Sequence, residues 1–376
     1  AMGWLSADGA YFSAYNRIEL MEDGESLLLA VNRDFHQYMH DLSDQSLERK
    51  SDAERYRRYR EVYDLPLRLA GPEPRVLVVG AGTGNDVQAA LRFEAREVIS
   101  VDIDGAIIEM GRQHHPERPY DDPRVVTVVN DARAYFEQYR GAPFDLVAYG
   151  LLDSHAMFGA LSTLRLDNYV YTREGFASAW KLVGEDGLMV VSFSVFAGEW
   201  IADRSYWTLT EATGIEPLML HHGKHYGLTF VVSRSPERIP LHQISDFIQI
   251  RQPTQNRLAV RTTSDDWPFL YSRPWVFPWA YVIVLICVLA GSGLAIPWAF
   301  GRAALGSRFD PVLFLMGAGF LLVETRGITT LSVVFGSTWL VNSAVFASVL
   351  LMVLLANLAV KRYGSVSYTH LTLPTN

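Results

Sequence analysis

The chain is expected to fold around a doubly wound α/β sheet, with a short β-hairpin ahead of it and a set of apolar helices behind it. Three observations lead there. From Val76 to Val232, short apolar runs alternate with helical stretches, the pattern of parallel strands buried on both faces. A glycine-rich turn follows the first run and an acid closes the second. Finally, Trp275 to Gly301 and Gly327 to Val360 contain no charged residue, a pattern of bilayer spans rather than of surface helices.

Composition narrows the options. The 376 residues exceed what one ordinary domain needs. A net charge of −8 gives no broad basic surface, so no nucleic-acid partner is expected. The single cysteine, Cys287, leaves no disulfide or cysteine-based metal site within one chain. Ala1-Met2-Gly3-Trp4 lacks a basic region followed by an apolar core, so no signal peptide is read there, and the chain looks cut from something longer. The closing stretch SVSYTHLTLPTN has the texture of vector read-through, so residues 363–376 are set aside as a non-native tail.

Residues 1–70 are expected to form an amino-terminal unit. YNRIEL (15–20) and SLLLAV (26–31) read as two strands joined by an Asp23-Gly24 turn. His36, Gln37, Tyr38 and His40 follow. Asp44 to Tyr63 is charge-rich and helical, with Tyr56, Tyr59 and Tyr63 more readily a packing stripe than a binding wall.

Residues 71–240 are expected to be the nucleoside-binding sheet. Val76–Val79 is the first strand, Gly80-Ala81-Gly82-Thr83-Gly84 the turn, and Asp86 to Phe93 a helix. Val98–Val101 is the second strand and ends in Asp102, 18 residues past Gly84. Glycines let the backbone bend and lie against a ligand with no Cβ in the way, and an acid there can accept hydrogen bonds from two ribose hydroxyls. A helix over 106–114 leads to a third buried strand, Val125–Val129, ending at Asn130-Asp131. Helix 132–139, strand 144–149, helix 174–182 and strands 188–193 and 228–232 complete the alternation. The loops Gly80–Asp86, Asp102–Asp104, Asn130–Asp131 and Gly150–His155 then converge on the carboxyl edge, where such sheets bind ligands. His221, His222 and His225 have no suitably spaced carboxylate, so no metal site is expected.

Residues 241–274 turn polar and read as a linker. Residues 275–362 are expected to be a membrane domain of about three spans, with Trp275, Trp279 and Trp298 near the ends of the first. Glu324 and Arg326 fall inside the second, where ionisable groups are costly unless paired or lining a polar cavity.

With Asn85 where a dinucleotide fold would carry its third glycine, the turn is G-x-G-x-G. That spacing resembles the first motif of S-adenosylmethionine (SAM) dependent methyltransferases and of the related spermidine synthases. The fold it implies is a Rossmann-like methyltransferase sheet. The order of motifs over Tyr15 to Val232 resembles spermidine synthase: YNRIEL with SLLLAVNRDFHQ, then VLVVGAGTG, SVDIDGAIIEMGR, DPRVVTVVNDARAYF and FDLVAYGLLDS. DDWPFLY and ETRGITTLSVVFGSTWLVNS resemble bacterial membrane proteins that fuse such a domain to transmembrane helices. The resemblance implies SAM or decarboxylated SAM as the cofactor, Asp102 on the ribose, Asp131 on the adenine amino group, and Gln37 as the family's hairpin glutamine. Ile103 and Ala132, beside those acids, are counted in the same pocket.

Two positions depart from the family. Members that transfer an aminopropyl group carry an acid where Thr83 stands, and another where Gly150 stands, at the start of D-x-x-D. Replacing the first acid by threonine removes repulsion against the carboxylate of ordinary SAM. Methyl transfer is therefore favoured here, with aminopropyl transfer using relocated acids (Asp86, Asp153 or Asp167) as one alternative. A non-catalytic SAM-sensing domain of a membrane transporter is another. Tyr149, Asp153 or His155 would orient or deprotonate the nucleophile, though each also reads as a packing or capping residue. The expected partners are a small-molecule or lipid acceptor and the bilayer; a homodimer is compatible. SAM is made in the cytoplasm, so the catalytic domain is expected on that side of the inner (plasma) membrane. The charge bias is nearly even: Arg302, Arg308, Lys361 and Arg362 lie opposite Arg257, Arg261 and Arg273.

Overall fold

Two β-sheets and three long apolar helices make up the computed structural model, which describes residues 4–5, 10–150, 168–193, 198–223, 227–272, 279–301, 311–336 and 339–363. The first sheet is antiparallel and follows chain order: β1 (Trp4–Leu5), β2 (Tyr11–Phe12), β3 (Arg17–Asp23), β4 (Ser26–Val31) and β5 (Asp34–Met39). The expected hairpin is β3–β4, and Gly24 takes the left-handed φ of +60° that its turn needs. Beyond the hairpin the sequence reading missed β5, whose DFHQYM carries too many polar residues to show a strand's apolar period.

Helices α1 (Asp44–Arg49) and α2 (Ala53–Ala70) replace the single helix expected over 44–63. Ser43 and Asp52 cap them, each accepting from a backbone N–H of the first turn. The second helix continues through Pro66 because Leu65, Leu67 and Leu69 are buried against the second sheet, and that packing outweighs the missing N–H.

The second sheet is built from β6 (Arg75–Val79), α3 (Asn85–Arg92), β7 (Glu97–Asp102), α4 (Gly105–His114), β8 (Val125–Val129), α5 (Ala132–Gln138), β9 (Phe144–Tyr149), α6 (Arg173–Trp180), β10 (Val183–Phe193), α7 (Trp200–Thr213), β11 (Leu218–His221), β12 (Leu228–Ser233) and β13 (Gln249–Arg251). Among the described residues its order is β13-β11-β12-β10-β9-β6-β7-β8. Strands β10 to β8 run parallel, and β12, β11 and β13 add antiparallel pairs. Val76 and Val78 face one core with α2 and α3, while Leu77 and Val79 face the other with α5 and α6. That double burial is why β6 reads as an unbroken apolar run. The strand expected as buried at 125–129 is instead the sheet edge, where Val126 and Val129 are about half exposed, at 48% and 57%.

Segment 241–274 is expected as a linker, but its described residues, 241–272, are part of this unit. Strand β13 pairs with β11. The Arg204 guanidinium donates to the carbonyls of Arg261, Phe269, Leu270 and Ser272. Arg133 grips Asp265 with two bonds of 3.2 and 3.1 Å, and Asp265 also accepts from Thr172 Oγ1 at 2.7 Å. Polar side chains therefore hold a segment whose apolar periodicity is weak.

Three helices, α8 (Trp279–Phe300), α9 (Pro311–Phe335) and α10 (Trp339–Tyr363), are long and apolar enough to cross a membrane. The chain divides into two units, Ala1–Gly306 and Ser307–Asn376, so α8 falls with the first and the expected boundary near 275 is not where contacts break. Within the second unit, α9 and α10 pack together where Gly327 meets Val345, which is 7% exposed. Glu324 and Arg326 cannot neutralise one another: two residues apart on a helix, they point to opposite sides.

Candidate active site

The site is positioned by a reversal of strand order. The chain leaves β6 towards β7 and β8, and returns to the far side of β6 only at β9. Such a reversal opens a crevice beyond the carboxyl ends of the two strands. Val79 pairs with Tyr149, so the residues that follow, Gly80 and Gly150, emerge side by side.

The turn after β6 is held from both sides. Gly80, Gly82 and Gly84 have φ of +70°, +54° and +109°, conformations that glycine adopts without strain. A Cβ on Gly82 would lie 2.7 Å from Gln37 Oε1, and one on Gly84 would lie 2.6 Å from Pro119 Cγ. The Tyr120 hydroxyl donates to the Gly82 carbonyl at 2.7 Å. Gln37 reaches over the turn from β5, and its buried Nε2 has no partner among the described residues. An orphaned donor against a glycine backbone fits a ligand that brings its own acceptor. Thr83 is fully buried, and its Oγ1 likewise has no partner among the described residues.

Asn85 ties this turn to its surroundings. Its Nδ2 donates to the Tyr38 carbonyl at 2.6 Å and to the Tyr63 hydroxyl at 3.2 Å, and its Oδ1 accepts from the His40 backbone N–H at 3.3 Å. His115 Nε2 lies 3.2 Å from the same oxygen. The residue that breaks the dinucleotide pattern is thus a hub joining β5, α2 and the end of α4. Tyr56 and Tyr59 of the tyrosine stripe pack their rings on His40, and both also line a cavity with Tyr38 and Arg55.

Four acids stand at the strand ends. Asp102 accepts from the Gly82 N–H at 2.8 Å and the Asp104 N–H at 2.9 Å, and stays partly open to the crevice. Burial pushes its carboxyl up to about 6, against the pull of the backbone N–H groups of Asp104, Gly82 and the neighbouring Ile103. Asp104 turns away and accepts from Ser13, Asn16 and the Ala106 N–H, joining the first sheet to α4. Asp131 caps α5, accepting from Ala134 N, with Ala132 behind it against the core. Asp86, in the first turn of α3, lies under Gly150: a Cβ on Gly150 would be 2.9 Å from Asp86 Oδ2 and 3.5 Å from the Gly80 carbonyl. Burial pushes the Asp86 carboxyl up to about 6.

Tyr149, expected either to orient the nucleophile or to pack, packs its ring into the core. It is 1% exposed, its ring is met by those of Phe136, Tyr171 and Phe176, and burial holds its hydroxyl protonated. Asp153, His155 and Asp167 lie outside the described residues, as does His225. His222 Nε2 lies 2.8 Å from Thr229 Oγ1, and burial lowers the imidazole to about 4. Asn85, Tyr63 and Tyr120 were not singled out in the sequence as site residues. Only Asn85 left a signal, as the missing third glycine.

The same span of chain matches a known domain. Residues 56–196 fit the spermine/spermidine synthase domain model. That span resembles a spermine/spermidine synthase domain. Over 136 residues this chain is 33% identical to polyamine aminopropyltransferase 2 of Caldanaerobacter subterraneus subsp. tengcongensis, which covers 35% of this chain and 43% of the relative. Over 132 residues it is 33% identical to the polyamine aminopropyltransferase of Korarchaeum cryptofilum, covering 34% and 38% respectively. The chain thus spans less than half the length of either relative. A solved spermidine synthase from Thermotoga maritima is a looser likeness, 16% identical with a TM-score of 0.47 over 70% of this chain and 84% of that one. The names of the two sequence relatives match the aminopropyl alternative rather than methyl transfer.

Proposed function

We propose that this synthase domain transfers an aminopropyl group from decarboxylated SAM to a polyamine-type amine acceptor, tethered to a membrane by α8–α10. One observation carries the reading. Gly80 to Gly84, Asp102, Asp131 and Gly150 all lie inside residues 56–196, the span that resembles aminopropyltransferases. Asp102 would hold the ribose, Gln37 would close over the nucleoside, and Asp131 would stand by the adenine. The sulfonium that decarboxylated SAM brings makes its aminopropyl carbon electrophilic; the chain's task is to align an amine with it and take a proton.

Membranes containing the full chain should release methylthioadenosine when given decarboxylated SAM and 1,4-diaminobutane. S-adenosylhomocysteine formed from SAM instead would overturn this reading. Asp102→Ala should weaken nucleoside binding at least tenfold, about 1.4 kcal/mol, for two lost ribose hydrogen bonds. Cofactor supply puts the domain on the cytoplasmic face of the inner membrane. The exposed Arg57 suits a labelling test better than Glu117, whose carboxylate is engaged by Leu42 N, Gln88 and Arg92. In a Cys287→Ser background, Arg57→Cys should resist a membrane-impermeant thiol reagent in intact cells. Labelling without permeabilisation would reverse the orientation.

A further inference from the structure

The geometry points to Asp86 as the acid that receives and deprotonates the acceptor amine, occupying from α3 the space that a side chain at position 150 would otherwise fill from β9. This rests on the aminopropyl-transfer reading above. The first support is steric. With a Cβ on Gly150 set 2.9 Å from Asp86 Oδ2 and 3.4 Å from its Cγ, a side chain at 150 would displace the carboxyl from where it stands. The glycine and the acid are complementary, one making the room the other uses. The second support is position. Gly80 and Gly150 leave adjacent parallel strands at the reversal of strand order, and the Asp86 carboxyl lies beside Gly150 there.

The third support is what the carboxyl lacks. Asp102, Asp104 and Asp131 each accept from backbone N–H groups of their own loops or helices. Among the described residues, no other residue's side chain donates to Asp86. Its charge is felt at the hydroxyls of Tyr63 and Tyr120, which face it from α2 and from the turn at Pro119–Asp121. A carboxylate half-enclosed by phenols and glycines, with open acceptor capacity, suits an ammonium donor.

The chemistry balances with this one acid. The Asp86 carboxylate takes a proton from the acceptor ammonium and frees the nitrogen lone pair. That pair forms the C–N bond to the aminopropyl carbon as the C–S bond breaks. The C–S electrons stay on sulfur, cancelling the sulfonium charge and leaving methylthioadenosine. The new secondary ammonium keeps its two remaining protons, and Asp86 passes its proton to water. Its pKa, raised to about 6 by burial, makes it a better base than an open carboxylate while leaving it ionised at neutral pH.

Full-length variants in membranes, given decarboxylated SAM and 1,4-diaminobutane, test this through methylthioadenosine release. Asp86→Asn should lose at least about 100-fold in turnover, the usual weight of a general base. Its affinity for methylthioadenosine should stay within about threefold of wild type, as a base for the amine does not hold the nucleoside. The swap Asp86→Gly with Gly150→Asp should recover at least about tenfold over Asp86→Gly, because the acid returns from the other strand. An active wild type with Asp86→Asn within threefold of it would remove Asp86 from the reaction and leave the aminopropyl reading standing. A wild type that makes no methylthioadenosine would end both. Should Asp86→Asn fail to fold, the swap decides: a double variant that binds methylthioadenosine yet is no faster than Asp86→Gly overturns the assignment.

Discussion

The sheet around β6 and the helices α8–α10 spend the same apolar side chains in opposite ways. Val76, Leu77, Val79 and Val98 are fully buried between two helical layers. Leu289, Leu322, Val323 and Leu350 are 62%, 70%, 71% and 68% exposed, although the helices that carry them are long and apolar enough to cross a membrane. In water an apolar surface of that extent would be strongly unfavourable. The difference therefore teaches which solvent each region is built for: the sheet excludes water by packing on itself, and the helices suit hydrocarbon. Their polar groups agree. In the helices Thr325, Thr329 and Ser348 return their hydroxyls to carbonyls of their own backbone, as a segment without water must. In the sheet domain, polar groups such as Asn85 and the Arg133–Asp265 pair join separate elements instead.

A charge placed in each region should separate them most sharply. Val78→Asp puts an unpaired carboxylate at a position 1% exposed, between β6 neighbours, and should cost more than about 4 kcal/mol. The expected outcome is loss of the cooperative unfolding transition, with rapid proteolysis of the sheet domain while the helices stay in the membrane. Leu351→Arg, at mid-length of α10 and 55% exposed, should leave the sheet untouched. In hydrocarbon it should cost about 2.5–3.5 kcal/mol of insertion, read as protein released by alkaline carbonate. Unchanged membrane retention would mean that this face of α10 meets water or protein, and the comparison would fail there.

Next in size is Asn85→Ala. It removes donors to Tyr38 and Tyr63 and strands acceptors in a nearly closed pocket, which should cost about 2–3 kcal/mol of sheet-domain stability. Nucleoside affinity should fall with it, because the turn above the ligand loses its tie to β5. A variant with wild-type melting and binding would reduce Asn85 to a spectator.

How much of this was legible in the sequence depends on whether the cause is local. Strands β6, β7 and β9 announce themselves because burial on both faces makes every residue apolar. The glycine turn and Asp102 are legible because their spacing is set by one strand–helix–strand unit. The segment 241–274 was not: what holds it is Arg204 on backbone carbonyls and Arg133 on Asp265, and such pairings between distant residues leave no period. The edge position of β8 was hidden as well, since VVTVV reads the same whether or not another strand covers it. Asp86 shows the limit most clearly. Only the strand order, which puts β9 beside β6, brings Gly150 over a residue 64 positions earlier.

The smallest expected effect is a pH response confined to one region. His40 and His115 are buried and neutral, lowered to about 3 and 4 chiefly by burial, with Lys50 adding to the effect at His40. Unfolded, each would take a proton near 6.5. The unfolded chain therefore binds more protons below 6.5, so the stability these histidines lend is complete above that pH and is lost as pH falls. Each contributes roughly 1.4 kcal/mol per pH unit between 6 and 5. Asp102 works with the opposite sign: raised to about 6, it takes its proton in the folded state first, so its contribution declines as pH rises from 4 to 6. Replacing His40 by Gln should flatten the acid loss of stability, and replacing Asp102 by Asn should steepen it. The measurement is the melting of the sheet domain, followed by limited proteolysis on heating at pH 7, 6 and 5, with membrane retention and residual far-ultraviolet ellipticity above that melting reporting on the helices. Helices α8–α10 bury no histidine, and their ellipticity should hold through that range. If both substitutions shifted the pH profile in the same direction, burial of these groups would not be what makes the sheet acid-sensitive.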